Sequence, residues 1–169
     1  NGVVVGASLA TDDNKSSAAN AASAIAKAAA INRVADQSGV HATVGKTVAF
    51  GSTMTAAAED GTLIINGVST ATIYTTDDAE LSRAAVMTAI NNISGQTGVK
   101  AINTHDDNQG IVLVAEDGRN IDLDLNDMTA AATGLGAGAA TGLSPRFAGA
   151  ILDGARSGFV PKPDRLANA

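Results

Sequence analysis

Ala89-Ile90-Asn91 and, shortly after it, Thr97-Gly98-Val99-Lys100-Ala101 decide how this chain is read, because both recur upstream in one register. Ala30-Ile31-Asn32 stands 59 residues before the first (90 − 31), and Gly39-Val40-His41-Ala42 stands 59 before Gly98-Val99-Lys100-Ala101 (98 − 39). Ser23 and Ser82, Ala26 and Ala85, and Gln37 and Gln96 keep the same offset without a gap. Even Asn1-Gly2-Val3-Val4-Val5 falls on Asp60-Gly61-Thr62-Leu63-Ile64. Chance matches between short words do not hold one register over such a stretch. The chain therefore reads as two copies of one supersecondary unit, at 1–59 and 60–126, followed by an Ala/Gly-rich segment and tail at 127–169.

The second copy has a legible order. Leu63-Ile64-Ile65 and residues 68–74 flank Asn66-Gly67, which suits a two-residue hairpin turn because both turn positions need positive φ. Asp77-Asp78 offers an N-cap and early negative charge to a helix over 79–93. Apolar residues fall there at Leu81, Ala84/Ala85, Ala89 and Ile93, close to helical spacing, and Gly95 and Gly98 are read as stops. A strand is expected over 99–102, and then a second hairpin joining 111–115 to 120–125 around Glu116-Asp117-Gly118-Arg119. In Ile121-Asp122-Leu123-Asp124-Leu125 apolar and acidic residues alternate strictly, which buries one face and wets the other.

The first copy reads the same way with a richer helix. Ser16-Ser17 is expected to cap a mostly alanine helix over 18–35, with Ile25, Ile31 and Val34 as its larger apolar residues. Strands follow over 40–44 and 47–50. Residues 128–143 read as a weak helix running into a loop, and Pro145, Pro161 and Pro163 punctuate the tail. The fold class is α+β: two repeated units of helix packed against antiparallel β-hairpins.

Composition narrows the function classes. Seventeen acidic side chains against 11 basic ones leave a net charge of −6 over 169 residues. A phosphate backbone or an anionic membrane surface needs a dense cationic face, so nucleic acid and membrane are both set aside as partners. No apolar run approaches the length of a transmembrane helix, and no basic start with apolar stretch and cleavage site opens the chain. With no cysteine there is no disulfide framework and no thiolate chemistry. Apolar residues make up 45% but aromatics only 2%, which predicts thin layers of small side chains rather than aromatic-walled pockets or hot spots.

The repeated residues carry a family resemblance. Gly61-Thr62-Leu63-Ile64-Ile65-Asn66-Gly67-Val68, then Leu81, Ala89-Ile90-Asn91 and Thr97-Gly98-Val99-Lys100-Ala101, resemble the repeated "IN" motif of bacterial flagellins. The run from Gly110 through Ile111-Val112-Leu113-Val114-Ala115 to Ile121 is similar to the hairpin that closes that motif. Hook-associated and cap proteins of the flagellum carry the same motif. In the first copy Val5-Gly6 stands where the Ile-Asn-Gly hairpin would be. Flagellins polymerise through long, heptad-patterned terminal helices, and this sequence resembles instead the variable outer part of a subunit, without that core. The resemblance implies a structural, extracellular, surface-exposed domain of the filament with no catalysis, whose partners are other flagellin subunits held through the core region. By itself the chain is expected to be a monomer. The alternatives are a hook-associated or cap protein, or a carbohydrate-binding or adhesive module; clustered exposed aromatics would favour the last, and Phe50, Tyr74, Phe147 and Phe159 are scattered.

Several stretches invite chemistry, and each has a plainer reading. Gly45-Lys46-Thr47 lacks the Gly that a phosphate loop needs five positions earlier, where Val40 stands. Gly134-Leu135-Gly136-Ala137-Gly138-Ala139, with Asp153 beyond it, follows Thr129-Ala130-Ala131-Ala132-Thr133 rather than the strand a dinucleotide fingerprint requires. His105-Asp106-Asp107 reads as a solvated turn, and His41 as an exposed strand position. Asp12-Asp13, Asp77-Asp78 and Asp106-Asp107 read as caps and solubilising charge rather than paired catalytic carboxylates. Asn92-Ile93-Ser94 spells a glycosylation acceptor at a helix end, and Thr70, Thr72, Thr75 and Thr76 are expected to point hydroxyls outward. No residue is assigned to catalysis, to a cofactor or to a metal.

Overall fold

The computed structural model describes residues 2–136 and 138, so the proline-punctuated tail, Phe147, Asp153 and Phe159 lie outside the described residues. Five helices are present among them: α1 (Ala24–Asn32), α2 (Ala35–Ser38), α3 (Ala79–Asn92), α4 (Ser94–Thr97) and α5 (Ala130–Thr133). Eight short strands accompany them: β1 (Thr47–Ala49), β2 (Asp60–Gly61), β3 (Ile64–Ile65), β4 (Val68–Ser69), β5 (Ile73–Tyr74), β6 (Lys100–Asn103), β7 (Ile111–Ala115) and β8 (Leu123–Asp124). All pairings are antiparallel, in three small sheets ordered β1-β7-β6, β2-β5 and β4-β3-β8. The class is α+β.

One helix pair keeps the sequence offset of 59, whereas α1 (9 residues) is shorter than α3 (14 residues). α2 and α4 occupy equivalent positions, and each ends on a left-handed glycine, Gly39 at φ 70 and Gly98 at φ 71. The copies part at their hairpins. Asn66 (φ 50) and Gly67 (φ 81) make the expected turn, pairing Ile65 with Val68 and Ile64 with Ser69, and the Thr70 N–H extends it to the Leu63 carbonyl. No hairpin stands at the corresponding place near the N-terminus, where Val4 is 84% exposed.

Several expected boundaries move, each for a local reason. The alanine helix does not begin after Ser16-Ser17: Ala19 sits in the left-handed region, a short 3₁₀ turn covers Asn20–Ala22, and Ser23 is the true cap, accepting from the Ala26 N–H at 3.1 Å. Helix propensity loses here because Ser16 and Asn20 are tied into other hydrogen bonds. Gly95 does not stop a helix but lies within α4. Residues 40–44 form no strand, and strand structure in that region is confined to β1. The second hairpin is absent: β7 pairs with β6 and β1, whereas β8 crosses to β3, so the two strands on either side of Glu116-Asp117-Gly118-Arg119 enter different sheets. Arg119 fixes that crossing by clasping Asp117 and donating to the Thr97 carbonyl at 3.0 Å. The alternation in 121–125 holds, with Ile121 and Leu123 buried and Asp122 and Asp124 exposed.

The core is aliphatic. Leu63, Ile65, Val86, Ile90, Val99, Ile111, Ile121 and Leu135 are fully buried, each stabilising by about 1.5–3 kcal/mol. The deep face of α3 is Ser82, Arg83, Val86 and Ile90, about one position round from the Leu81 stripe read in the sequence; Leu81 is 61% exposed. The glycine-rich segment after α5 contributes Leu135 to this core, and the Gly134 carbonyl accepts from Ser52 and Ile111. Gly110 (φ 58) lets the chain pass beneath that carbonyl, and a Cβ there would also lie 2.6 Å from the Ser52 carbonyl oxygen.

These two glycines separate strain from collision. Gly67→Val meets no neighbour, so its cost is the positive φ alone, about 1–3 kcal/mol. Gly110→Ala adds backbone overlap to the same strain and is expected to be the more destabilising. Urea unfolding of both variants against the parent checks the order; a Gly67→Val midpoint equal to the parent's would remove the hairpin turn from this account.

Candidate functional site

The asparagines of two Ile-Asn dipeptides, Asn32 and Asn91, do one and the same job. Ile90 enters the core while Asn91, next along α3, turns its side-chain amide to the open edge of β6. There Asn91 Nδ2 donates to the Ala101 carbonyl at 3.0 Å and Asn91 Oδ1 accepts from the Ala101 N–H at 2.9 Å. Asn32 does the same with Ala42, at 2.9 and 2.8 Å. A carboxamide suits this role because it alone among common side chains offers a donor and an acceptor side by side. It mimics a neighbouring strand and closes an edge that otherwise invites pairing.

Asn66, in the hairpin turn, makes a third such tie. Its Nδ2 donates to the Thr97 carbonyl at 2.9 Å and its Oδ1 accepts from the Asp122 N–H at 2.8 Å. The turn is thereby locked to α4 and to the residue preceding β8.

Arg83 organises a second cluster. The residue is 3% exposed, yet its guanidinium reaches Glu80 Oε2 at 2.8 Å, Asn103 Oδ1 at 3.1 Å and the Asp107 carboxylate. Glu80 also accepts from Asn103 Nδ2 at 2.9 Å and lies 2.8 Å from His105 Nδ1. Burial works against the arginine charge, but the hydrogen bonds to Glu80 and Asp107 outweigh it and hold its pKa above the ordinary value. Hydrogen bonding from Arg83 holds the Glu80 carboxyl below its own. The cluster joins α3, the end of β6 and the loop into β7, and the Met54 N–H completes it by donating to the Asp107 carbonyl at 2.7 Å. A charge at a buried helical spacing, among Ser82, Val86 and Ile90, was the sequence signal for it.

A third cluster ties the N-terminal segment down. Asp13, 2% exposed, accepts from the Ser16 hydroxyl at 2.6 Å and from the N–H groups of Lys15 and Ser16. Burial raises its pKa, and hydrogen bonds from Ser16, Ser23 and the two backbone amides overcome it, leaving the carboxyl below its usual range. The Ser16 hydroxyl in turn accepts from the Asn120 N–H at 2.8 Å, and Asn120 Nδ2 donates to the carbonyls of Ala18 and Ala19. These contacts span more than a hundred residues and left no periodic trace in the sequence.

The chemically suggestive stretches fall as follows. Thr47 of Gly45-Lys46-Thr47 is a buried residue of β1 and Lys46 is exposed beside it. Thr129-Ala130-Ala131-Ala132-Thr133 caps and forms α5, with Gly134 its left-handed terminus; Ala137 and Ala139 of the glycine-rich run lie outside the described residues. His41 is exposed but not in a strand, and His105 (φ 57) is exposed on the turn. Asp78 caps α3, accepting from the Leu81 N–H at 3.0 Å. Thr72 and Thr76 are exposed, but Thr70 and Thr75 are buried, contrary to the outward reading. Their hydroxyls serve backbone groups, Thr70 accepting from the Leu63 N–H and Thr75 donating to the Ala57 carbonyl. Among the described residues no three His, Cys, Asp or Glu side chains converge as a metal site. No helix there is long and apolar enough to cross a membrane. An open groove of about 560 Å³ runs between Ile73-Tyr74 and the Ala85, Ala89 and Ile93 side of α3, with no carboxylate, imidazole or amine on its walls. What these arrangements accomplish is positional: they hold short elements in place.

No family model matches the chain, and no curated protein matches it.

Two measurements test the ties. Asn91→Ala strands the Ala101 N–H and carbonyl at a packed edge and should cost about 1–3 kcal/mol, two hydrogen bonds' worth. Asn32→Ala should cost less, because water reaches the exposed segment beside Ala42; equal costs would contradict the edge-closing role. For Asp13 the folded pKa is depressed, so its contribution is present above the ordinary value of 3.8 and is lost as pH falls through the folded pKa. Asp13→Asn should therefore be less stable than the parent at neutral pH, with the gap closing in acid. A gap that persists unchanged in denaturation series down to about pH 2 would show that the charge is not what stabilises this cluster.

Proposed function

We propose that this chain is an outward-facing structural domain of a bacterial flagellar filament protein, a flagellin, and that it catalyses no reaction. One observation carries the reading. Asn32 and Asn91, the asparagines of the two Ala-Ile-Asn stretches on which the repeat rests, do the same work, each tying a helix to the segment that leaves a left-handed glycine. Short elements bound by such ties form a stiff unit without large aromatic anchors. That suits a projection which must keep its shape while its loops vary.

The charge supports the same role. A net of −6 with exposed Asp122, Asp124 and Glu116 keeps neighbouring projections apart and in solution. In this reading the domain is extracellular, and polymerisation belongs to a helical filament core that these residues do not supply. Immunogold labelling of intact source bacteria, with antibody raised against this chain, tests the proposal. Gold along the whole flagellar filament is expected. Gold confined to the hook junction or the tip would favour a hook-associated or cap protein, and gold off the flagella would overturn the flagellar assignment.

A further inference from the structure

Three asparagines, Asn32, Asn66 and Asn91, tie the fold with both ends of one carboxamide, and among them only Asn66 is followed by glycine. Asn32 precedes Arg33, and Asn91 precedes Asn92. The difference is chemical. The backbone nitrogen of the residue after an asparagine can attack the asparagine Cγ and close a cyclic imide, and a side chain on that next residue hinders the approach. Glycine has none. Gly67 is exposed, and a Cβ placed on it would meet nothing within 4 Å. Neither crowding nor dryness at Gly67 therefore blocks the reaction.

The hold on the carboxamide does. Ring closure makes Cγ tetrahedral and carries its oxygen and nitrogen out of the plane in which they now bond. Asn66 Nδ2 is engaged by the Thr97 carbonyl at 2.9 Å and Oδ1 by the Asp122 N–H at 2.8 Å. The Asn66 N–H also donates to the Asp122 carbonyl at 2.9 Å, so the backbone of the residue is held as well. Thr97 is 1% exposed, and its carbonyl is fixed further by Arg119 at 3.0 Å. To react, Asn66 must first let go of α4 and of the residue preceding β8.

We propose that Asn66 is a conditional modification site, held unreacted while its ties to Thr97 and Asp122 are closed and converted to aspartate and isoaspartate when they open. The Gly67 nitrogen bonds to Asn66 Cγ and gives up its proton, and the Cγ–Nδ2 bond breaks to release ammonia. Water then opens the imide at either carbonyl. Attack at Cγ leaves aspartate; attack at the main-chain carbonyl leaves isoaspartate, with the backbone running through Cβ and Cγ. Aspartate puts an anionic oxygen where a donor faced the Thr97 carbonyl. Isoaspartate lengthens by a methylene the two-residue turn that sets the register of β3 and β4. Because β3 also pairs with β8, each conversion weakens the hold that had prevented it. Chains that have stood open are thereby marked irreversibly, whether or not the flagellar reading is right.

The reaction is slow beside opening and closing, so its rate is the unfolded rate multiplied by the open fraction. The parent chain is incubated in mildly alkaline buffer, native and in unfolding urea, with a peptide of residues 62–71 in both to correct for solvent. Mass spectrometry of acid digests reads the conversion at Asn66, and enzymatic methylation reads isoaspartate; Asn1-Gly2, the other Asn-Gly step, is scored separately. The native chain should convert at least about tenfold more slowly than the unfolded one, the factor for an opening free energy of about 1.4 kcal/mol. In the unfolded chain Asn32 and Asn91 should stay intact over the same period. Hydrogen-exchange protection of the Asp122 N–H reports the same opening and should match the retardation within about threefold. Equal rates in native and unfolded chain overturn the proposal. So does a native chain that resists conversion while the Asp122 N–H exchanges freely, since the ties are then not the guard. Asn66→Asp should lower the urea midpoint; a midpoint equal to the parent's would refute the claim that conversion loosens the turn.

Discussion

Asn91 gives its side-chain amide to the edge of a strand, and much of the architecture depends on that exchange. The two bonds to Ala101 fix β6 against α3, and Ile90, Val86, Leu113 and Ala101 share one core. With β6 placed, β7 has a template on one side, and its other side is left to recruit β1 from the first copy. The main sheet is therefore built from both halves of the chain. Where the same exchange occurs at Asn32, the segment around Ala42 forms no strand, and β1 beyond it pairs with β7.

The polar ties follow from the composition. A core without buried Tyr, Trp or Phe among its described members draws on Leu, Ile, Val and Ala, and strands of two to five residues bring few ladder bonds each. Backbone groups at the ends of such strands must still be satisfied, and here side chains do much of it: Thr70 for Leu63, Thr75 for Glu59 and Ala57, and Ser16 for Asn120. The buried guanidinium of Arg83 belongs to the same economy of means. Its two carboxylate partners sit at the surface, so the charge is neutralised without drawing a second ion into the core.

Legibility in the sequence followed the range of the interaction. The Asn66-Gly67 turn, the Asp78 cap, the chain reversal at Gly98 and the burial alternation in 121–125 all rest on neighbours within a few positions, and they stand as read. The candidate site was half visible: Ile90-Asn91 and Ile31-Asn32 were marked as repeated, but their grip on Ala101 and Ala42 was not, because spacing shows recurrence and not contact. The readings that failed each assumed that local preference wins. Alanine propensity put a helix over 18–35, yet Asp13, Ser16 and Asn20 hold its first residues in turns. Leu81 was placed on the apolar stripe, but the core accepts the neighbouring face, where Arg83 finds its carboxylates.

The sequence by itself determined the α+β class, the Asn66-Gly67 turn and the Asp78 cap, because these depend on backbone preferences and hydrogen bonds that close over a handful of residues. Only the tertiary structure decided which strands meet. Residues 111–115 and 121–125 are each competent to pair, and short apolar strands carry little information about partners. What separated them was Arg119 anchoring to Asp117 and Thr97, together with Asn66 waiting at Asp122, and those contacts join residues from 2 to 56 positions apart. A hairpin would have been the shorter connection, but side-chain hydrogen bonds available only in the folded chain sent β8 to the other sheet.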